Sequence, residues 1–134
     1  MRYIGIDFGT KRTGVAISGE DGRVAVVKET IEAENQQEVI ARLKEIVKTE
    51  NVDVVVIGVP TNLNGESTDM TETVERFVAK LRDHVGVPVQ TTDERLTTEM
   101  AKKLLRGVKN EERDKVAAQI LLQNFLDELS VSAE

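Results

Sequence analysis

Asp7 is the first residue of this sequence whose type does not fit its surroundings. It stands between Ile6 and Phe8, in an apolar segment typical of a buried strand. An isolated ionised carboxylate is costly in such a place unless it is paired or binds a metal ion. The alternative is an aspartate that caps the turn after the strand, a common role for this residue type. The residue alone supports both interpretations.

A second acidic position is the pair Asp93-Glu94, which follows the last predicted strand. Open α/β sheets place their sites beyond the carboxyl ends of their strands. Because side chains alternate along a strand, only one of the two is expected to face such a site, and we predict that it is Glu94. A polar loop that caps the next helix is the alternative.

Asp114 is the third acidic position and begins the last predicted helix. Ala117 and Leu121 follow three and seven positions later, so Asp114 shares the apolar side of that helix. It is either an inward-pointing ligand or an ordinary acidic residue near a helix N-terminus, where the macrodipole favours it. Ala117 and Ala118 permit this helix to approach the sheet closely.

Three carboxylates in a chain without cysteine suit hard, oxygen-seeking cations such as Mg²⁺ or Mn²⁺. In a two-metal site one ion activates water and the other stabilises the leaving oxygen of a phosphodiester. Lys11 or Arg95 could neutralise the charge of the phosphate. Gly14, Ala16 and Ser18, on the neighbouring predicted strand, are expected to leave room for an ion and a phosphate. These residues predict phosphodiester hydrolysis by metal-bound water.

Apolar periodicity and turn residues divide the chain into five strands and four helices, in the order βββαβαβαα. The strands are predicted at residues 2–8, 13–18, 23–31, 52–59 and 87–91. The helices are predicted after an Asn35–Glu38 capping box, at residues 70–85, from Thr97 or Thr98 to Gly107, and at about 113–129. Tight turns make the first three strands an antiparallel meander, whereas helical crossovers make strands one, four and five parallel. We therefore predict an α/β fold with a mixed five-stranded sheet in the order 3-2-1-4-5 and helices on both faces.

The composition fits a single globular domain spanning residues 1–134. No apolar run approaches the roughly 20 residues of a membrane span, and the N-terminus lacks the apolar region of a signal peptide, so a cytoplasmic protein is expected. The net charge of −6 argues against a protein that coats nucleic acid indiscriminately. Residues 95–115 nevertheless carry a local net charge of +3. This basic segment either binds a polyanion or forms a solvated helix face.

Three segments and the last helix carry a resemblance to a known family. They are Gly5-Ile-Asp-Phe-Gly-Thr-Lys-Arg-Thr-Gly-Val-Ala16, Val59-Pro-Thr-Asn-Leu-Asn-Gly65, Asp93-Glu-Arg-Leu-Thr-Thr98 and Asp114-Lys-Val-Ala-Ala-Gln-Ile-Leu-Leu122. The chain resembles the YqgF/RuvX family of the ribonuclease H-like superfamily, whose members are named as Holliday junction resolvases and as pre-16S ribosomal RNA nucleases. The predicted element order matches that fold.

The resemblance implies a nuclease that needs Mg²⁺ or Mn²⁺ and acts on structured nucleic acid, either an RNA precursor or branched DNA. It makes Asp7, Glu94 and Asp114 the catalytic and metal-binding positions, with Asp93 beside Glu94 as a further possible ligand. The predicted substrate contacts are Thr10, Lys11, Arg12 and Arg95. Many members carry a small residue where this chain has Lys115. Both a monomer and a homodimer are compatible with such a function.

Two rival functions start from the same residues. In actin-like ATPases and sugar kinases, a hairpin similar to Asp7-Phe8-Gly9-Thr10 wraps nucleotide phosphates, but those proteins need two such domains and 134 residues supply one. The second rival is a nucleic-acid-binding module without catalysis. The presence of all three acids argues against that module without excluding it.

Overall fold

The computed structural model describes residues 1–60, 68–94 and 101–133. Its strands are β1 (Tyr3–Asp7), β2 (Arg12–Ser18), β3 (Ala25–Glu32), β4 (Val54–Val59) and β5 (Val89–Asp93). The helices with both ends in these ranges are α1 (Gln36–Thr49), α2 (Asp69–Val85) and α3 (Asn110–Ala133), and residues 101–104 are also helical. None of the helices within these ranges is long and apolar enough to cross a membrane.

The five strands form one mixed sheet in the order β3-β2-β1-β4-β5, as predicted. β1 and β2, and β2 and β3, pair antiparallel, whereas β1 and β4, and β4 and β5, pair parallel. β1 is therefore the central strand. The loop after β1 and the carboxyl ends of β4 and β5 lie at the same edge of the sheet, because parallel strands end on the same side.

Alternation along β1 sends neighbouring side chains to opposite faces of the sheet. Ile4 and Ile6 are fully buried in the larger core, which lies between the sheet and helices α1 and α2. Phe8 continues that face and stacks on Phe77 of α2, with 4.1 Å between ring centroids. Asp7 therefore points to the other face, which α3 covers.

Helices α1 and α2 begin at the caps that their sequences encode. The Asn35 side chain accepts a hydrogen bond from the Glu38 N–H at 3.0 Å, which confirms the predicted start of α1. Thr68 and Thr71 form a reciprocal capping box at α2, and Gly86, with φ of 71°, ends that helix in the left-handed conformation.

Helix α3 packs closely on its face of the sheet because glycines and alanines line the contact. A Cβ on Gly5 would lie 2.6 Å from the Leu122 side chain, and one on Gly58 would lie 2.1 Å from Leu121. Ala118 is fully buried. Near the outer strand, Gln119 and Gln123 of α3 hydrogen-bond the carbonyl and the N–H of the residue that begins β3, at 3.1 and 2.8 Å.

All five strands differ from their predicted bounds by one or two residues at one end or both, and the two differences that bear on the site are those of β5 and α3. β5 begins and ends two residues later than predicted, because its parallel pairing with β4 continues to Val59 and Asp93 and the Glu94 N–H then donates to the Val59 carbonyl. α3 begins three residues earlier, at Asn110, since Glu111 and Glu112 suit its first turn. Asp114 consequently lies in the second turn. The predicted start of the third helix lies outside the described residues.

Candidate active site

Asp7 is a buried carboxylate at the end of the central strand. Only 8% of the residue is exposed, and its neighbour across the β1–β2 pair is Gly14. Burial raises the pKa of Asp7 to about 7; Lys102 opposes this shift, while the charges of Glu94 and Asp114 add to it. This dependence on both other acids indicates that the three predicted carboxylates lie in one electrostatic environment.

Lys102 places a cation between two of these carboxylates. Its Nζ lies 3.1 Å from Oδ2 of Asp7 and 2.7 Å from Oε1 of Glu94. Burial alone would lower the pKa of Lys102, but the attraction of the two carboxylates outweighs it and raises that pKa. Lys102 belongs to the helical residues 101–104. Its ammonium group is charged, because its pKa is raised, and it lies within contact distance of both carboxylates.

Glu94 and Asp93 lie on different sides of the sheet edge. The Glu94 side chain is only 6% exposed and contacts Lys102, whereas Asp93 is exposed to solvent. The cause is the alternation of β5, in which Asp93 pairs in register with Val59 of β4 on the other face. Of these two acids, Glu94 is therefore the one that reaches Asp7 through a shared cation.

Asp114 enters the same region from α3. Its Oδ2 accepts a hydrogen bond from Nε of Arg12 at 2.9 Å, across 102 positions of sequence. Its main chain packs on Gly14, where an added Cβ would lie 2.0 Å from the Asp114 carbonyl oxygen. The interpretation that Gly14 leaves room for an ion and a phosphate was therefore wrong at this residue, because α3 fills that space.

The predicted substrate contacts are distributed around the β1–β2 turn. Thr10 and Lys11 are exposed at its tip, whereas Arg12 is engaged by Asp114. The three line a cleft of about 720 Å³ that is also lined by Glu32, Glu34 and Glu38. Arg95, the fourth predicted contact, lies outside the described residues, as does most of the Asn64-Gly65 loop.

Lys102 is a residue of the candidate site that the sequence pattern does not single out. It belongs to the basic segment 95–115, for which the sequence favours either contact with a polyanion or a solvated helix face. The available signal was indirect: buried acids require a counter-charge, and this segment is rich in candidates. Elsewhere in the segment, Lys115 pairs with Glu112 at 2.9 Å, and Arg113 donates to Asn110.

The donor set fits a divalent cation at the Asp7–Glu94 pair. Both carboxylates already direct an oxygen at one cation, the Lys102 ammonium, which shows that their geometry suits a shared positive charge. Asp114 is directed at Arg12 instead, and among the described side chains no group of three or more is arranged to hold one ion. Mg²⁺ commonly uses one or two carboxylates and keeps several waters, so two donors suffice.

Similarity to solved structures defines the class of fold. The chain superposes on T. thermophilus RuvC in complex with a Holliday junction substrate with a TM-score of 0.61 at 17% identity, covering 97% of this chain and 96% of that chain. It superposes on the fowlpox virus Holliday junction resolvase with a TM-score of 0.57 at 12% identity, covering 96% and 99%. The fold is therefore that of the RuvC-like, ribonuclease H-type nucleases, as predicted.

Sequence similarity then defines the family. A family model described as RuvX: Holliday junction resolvase matches residues 1–128. A Geobacillus kaustophilus protein named as a candidate pre-16S rRNA nuclease is 41% identical, covering 95% of this chain and 98% of that protein. A Streptococcus pneumoniae protein of the same name is 40% identical with the same coverage. The chain belongs to the RuvX family, and the predicted nuclease class is confirmed at the level of that family.

Proposed function

We propose that this chain is a divalent-metal-dependent nuclease that hydrolyses phosphodiester bonds in structured nucleic acid in the cytoplasm. The observation that carries the proposal is the pair of buried carboxylates, Asp7 and Glu94, that converge on one cation at the carboxyl edge of the sheet. Buried carboxylates are costly to the fold unless they are paired with a cation or bind a metal ion. We further propose that residues 1–134 act as one domain.

In this proposal, Asp7 and Glu94 would hold Mg²⁺ or Mn²⁺, with Asp114 beside them. The ion would supply activation of water and stabilisation of the leaving oxygen. Arg12 holds the Asp114 carboxylate in place through its 2.9 Å contact. Thr10 and Lys11 lie exposed at the turn that follows Asp7, where they would bind the phosphate backbone, and Arg95 is proposed to steady the scissile phosphate.

The substrate that we favour is the precursor of 16S ribosomal RNA, because relatives at about 40% identity over nearly their whole length carry that substrate in their names. A Holliday junction is the second candidate. The description of the matching family supports it, since that description names a Holliday junction resolvase.

The first prediction concerns cleavage. The wild-type protein is expected to cut at least one of a precursor 16S RNA, a four-way DNA junction and linear controls in the presence of Mg²⁺ or Mn²⁺. Asp7→Asn and Glu94→Gln should each lower the rate by 10²-fold or more, because each removes a proposed metal ligand. Gel analysis of end-labelled substrates measures both the rate and the substrate preference.

Asp93→Asn is the matched control, since it neutralises the adjacent exposed acid and should retain near wild-type cleavage. Retained cleavage in Asp7→Asn would contradict the proposed site. If the folded wild type and Asp7→Asn bind nucleic acid equally well and neither cuts any of these substrates, the result would instead favour a binding module.

A further inference from the structure

The position between Asp7 and Glu94 is already occupied by a positive charge from the chain itself. The Lys102 ammonium lies 3.1 and 2.7 Å from oxygens of the two carboxylates, and 3.4 Å from the second oxygen of Asp7. A metal ion held by the same pair would attract the same oxygens at about 2.0–2.1 Å for Mg²⁺. Two cations that need the same lone pairs at these distances compete for them.

In the metal-free fold, the Lys102 ammonium group compensates the charge of the two buried carboxylates. Asp7 is 8% exposed and the Glu94 side chain 6%, so neither carboxylate can rely on water for its solvation. Removing one partner from a buried ion pair is strongly destabilising, because it leaves an uncompensated charge. Among the described side chains of the site, Lys102 and Arg12 are two cations that face three carboxylates.

The two sides of this ion pair belong to different parts of the fold. Asp7 ends the central strand and Glu94 follows β5, so both are fixed by the sheet. Lys102 reaches them from the helical residues 101–104, outside the sheet, where Leu104 is 83% exposed and Gly107 follows with φ of 97°. A long side chain from such a peripheral segment can move without any change to strand pairing.

We propose that Lys102 is a built-in counter-ion that occupies the cation position between Asp7 and Glu94 in the metal-free protein and must leave that position when the divalent ion binds. This inference rests on the proposed metal-dependent function. It adds a regulatory property: the intrinsic lysine lowers the apparent metal affinity, and it keeps the site folded when the metal is absent.

Metal binding by the full chain tests the proposal without any measurement of cleavage. Lys102→Met keeps most of the apolar stem and removes the charge, and it should bind Mn²⁺ at least tenfold more tightly than the wild type by isothermal titration or by loss of the free-ion electron paramagnetic resonance signal. Lys103→Met is the matched control, since Lys103 is adjacent and exposed, and should be unchanged. Unchanged or weaker binding by Lys102→Met would overturn the proposal.

Thermal unfolding gives a second reading on the same variants. With chelator present, Lys102→Met should melt below the wild type, and saturating Mn²⁺ should remove the difference. A deficit that persists with bound metal would mean that the lysine is a structural residue of both states, contrary to the proposal.

A measurement on the wild type covers the case in which Lys102→Met does not fold. Modification of Lys102 by a small amine-reactive reagent, quantified by mass spectrometry, should increase several-fold when Mg²⁺ is added, while Lys103 stays constant. An unchanged reactivity of Lys102 at saturating Mg²⁺ would overturn the proposal. Because none of these readings requires turnover, an absence of nuclease activity would be distinguishable from an absence of displacement.

Discussion

At the scale of single residues, the environment of Asp7 couples the site to the stability of the protein. The carboxyl group is buried against α3, and its pKa of about 7 lies well above its ordinary value of 3.8. A group whose pKa is higher in the folded than in the unfolded state stabilises the fold when it is protonated. That stabilisation is lost as the pH rises from the unfolded pKa through the folded one.

The metal-free protein is therefore expected to lose stability between about pH 4 and pH 7 through Asp7. Between these pH values the folded state keeps a proton on Asp7 that the unfolded state releases. The difference between the two pKa values corresponds to a decrease in the free energy of unfolding on the order of 4 kcal/mol at most. Lys102 stays charged throughout this window, because its pKa is raised. Urea unfolding in the presence of chelator, at several pH values, measures how the free energy of unfolding changes with pH.

Asp7→Asn is the comparison that isolates this contribution. The variant should be more stable than the wild type at pH 8 and should show a flatter dependence on pH, since Asn carries no charge. Parallel pH profiles for the two proteins would show that Asp7 does not titrate as described.

The sequence predicted the acids of this site better than their partners. Asp7 was identifiable because a charge interrupts an apolar strand, and Glu94 because strand alternation sends only one of two adjacent acids inward. Lys102 and Arg12 pair with acids 95 and 102 positions away. Such contacts depend on how loops bring distant segments together, and a local pattern carries no information about that.

At the scale of elements, the site depends on how closely α3 approaches the sheet. The strands and their order follow from the turns and crossovers, so the topology could be predicted from the sequence. The exact start of α3 could not, because Glu111 and Glu112 favour an earlier turn than the apolar stripe indicates. The contact at Gly14 was also missed, since a small residue can leave a space or receive a neighbour.

Gly14→Ala is expected to destabilise the protein by about 1–3 kcal/mol or more, because the added methyl group would lie 2.0 Å from a main-chain oxygen of α3. The helix would have to move outward, and Asp114 with it. Gly19→Ala is the matched control, since its Cβ would lie 3.5 Å from a side-chain oxygen. Urea unfolding should separate the two variants; equal stability would show that α3 adjusts freely.

At the scale of the whole molecule, the charge distribution limits where a polyanion can bind. The chain carries a net charge of −6, so contact with nucleic acid must be local rather than general. Lys11 is exposed at the turn beside the site, while Lys44 lies on α1, next to a separate groove between α1 and α2. Substitution of either lysine removes one positive charge. A comparison of the two variants therefore tests whether the position of that charge matters for binding.

Lys11→Ala should weaken binding of the preferred nucleic acid and reduce the slope of log affinity against log salt by about 0.7–0.9, the value for one lost phosphate contact. Fluorescence anisotropy between 50 and 200 mM salt, without divalent metal, measures that slope. Lys44→Ala should leave it unchanged. Equal effects of the two substitutions would point to diffuse attraction and away from a defined backbone path.

The contacts of α3 with the first residue of β3 have a consequence for self-association of the protein through its outer strand. An outer strand normally presents unpaired N–H and carbonyl groups, which are templates for intermolecular cross-β growth. Here Gln119 and Gln123 already satisfy both main-chain groups of Ala25. The border of the sheet is closed at this point, so crowded copies of the protein find no free hydrogen-bonding group there from which a fibril could extend.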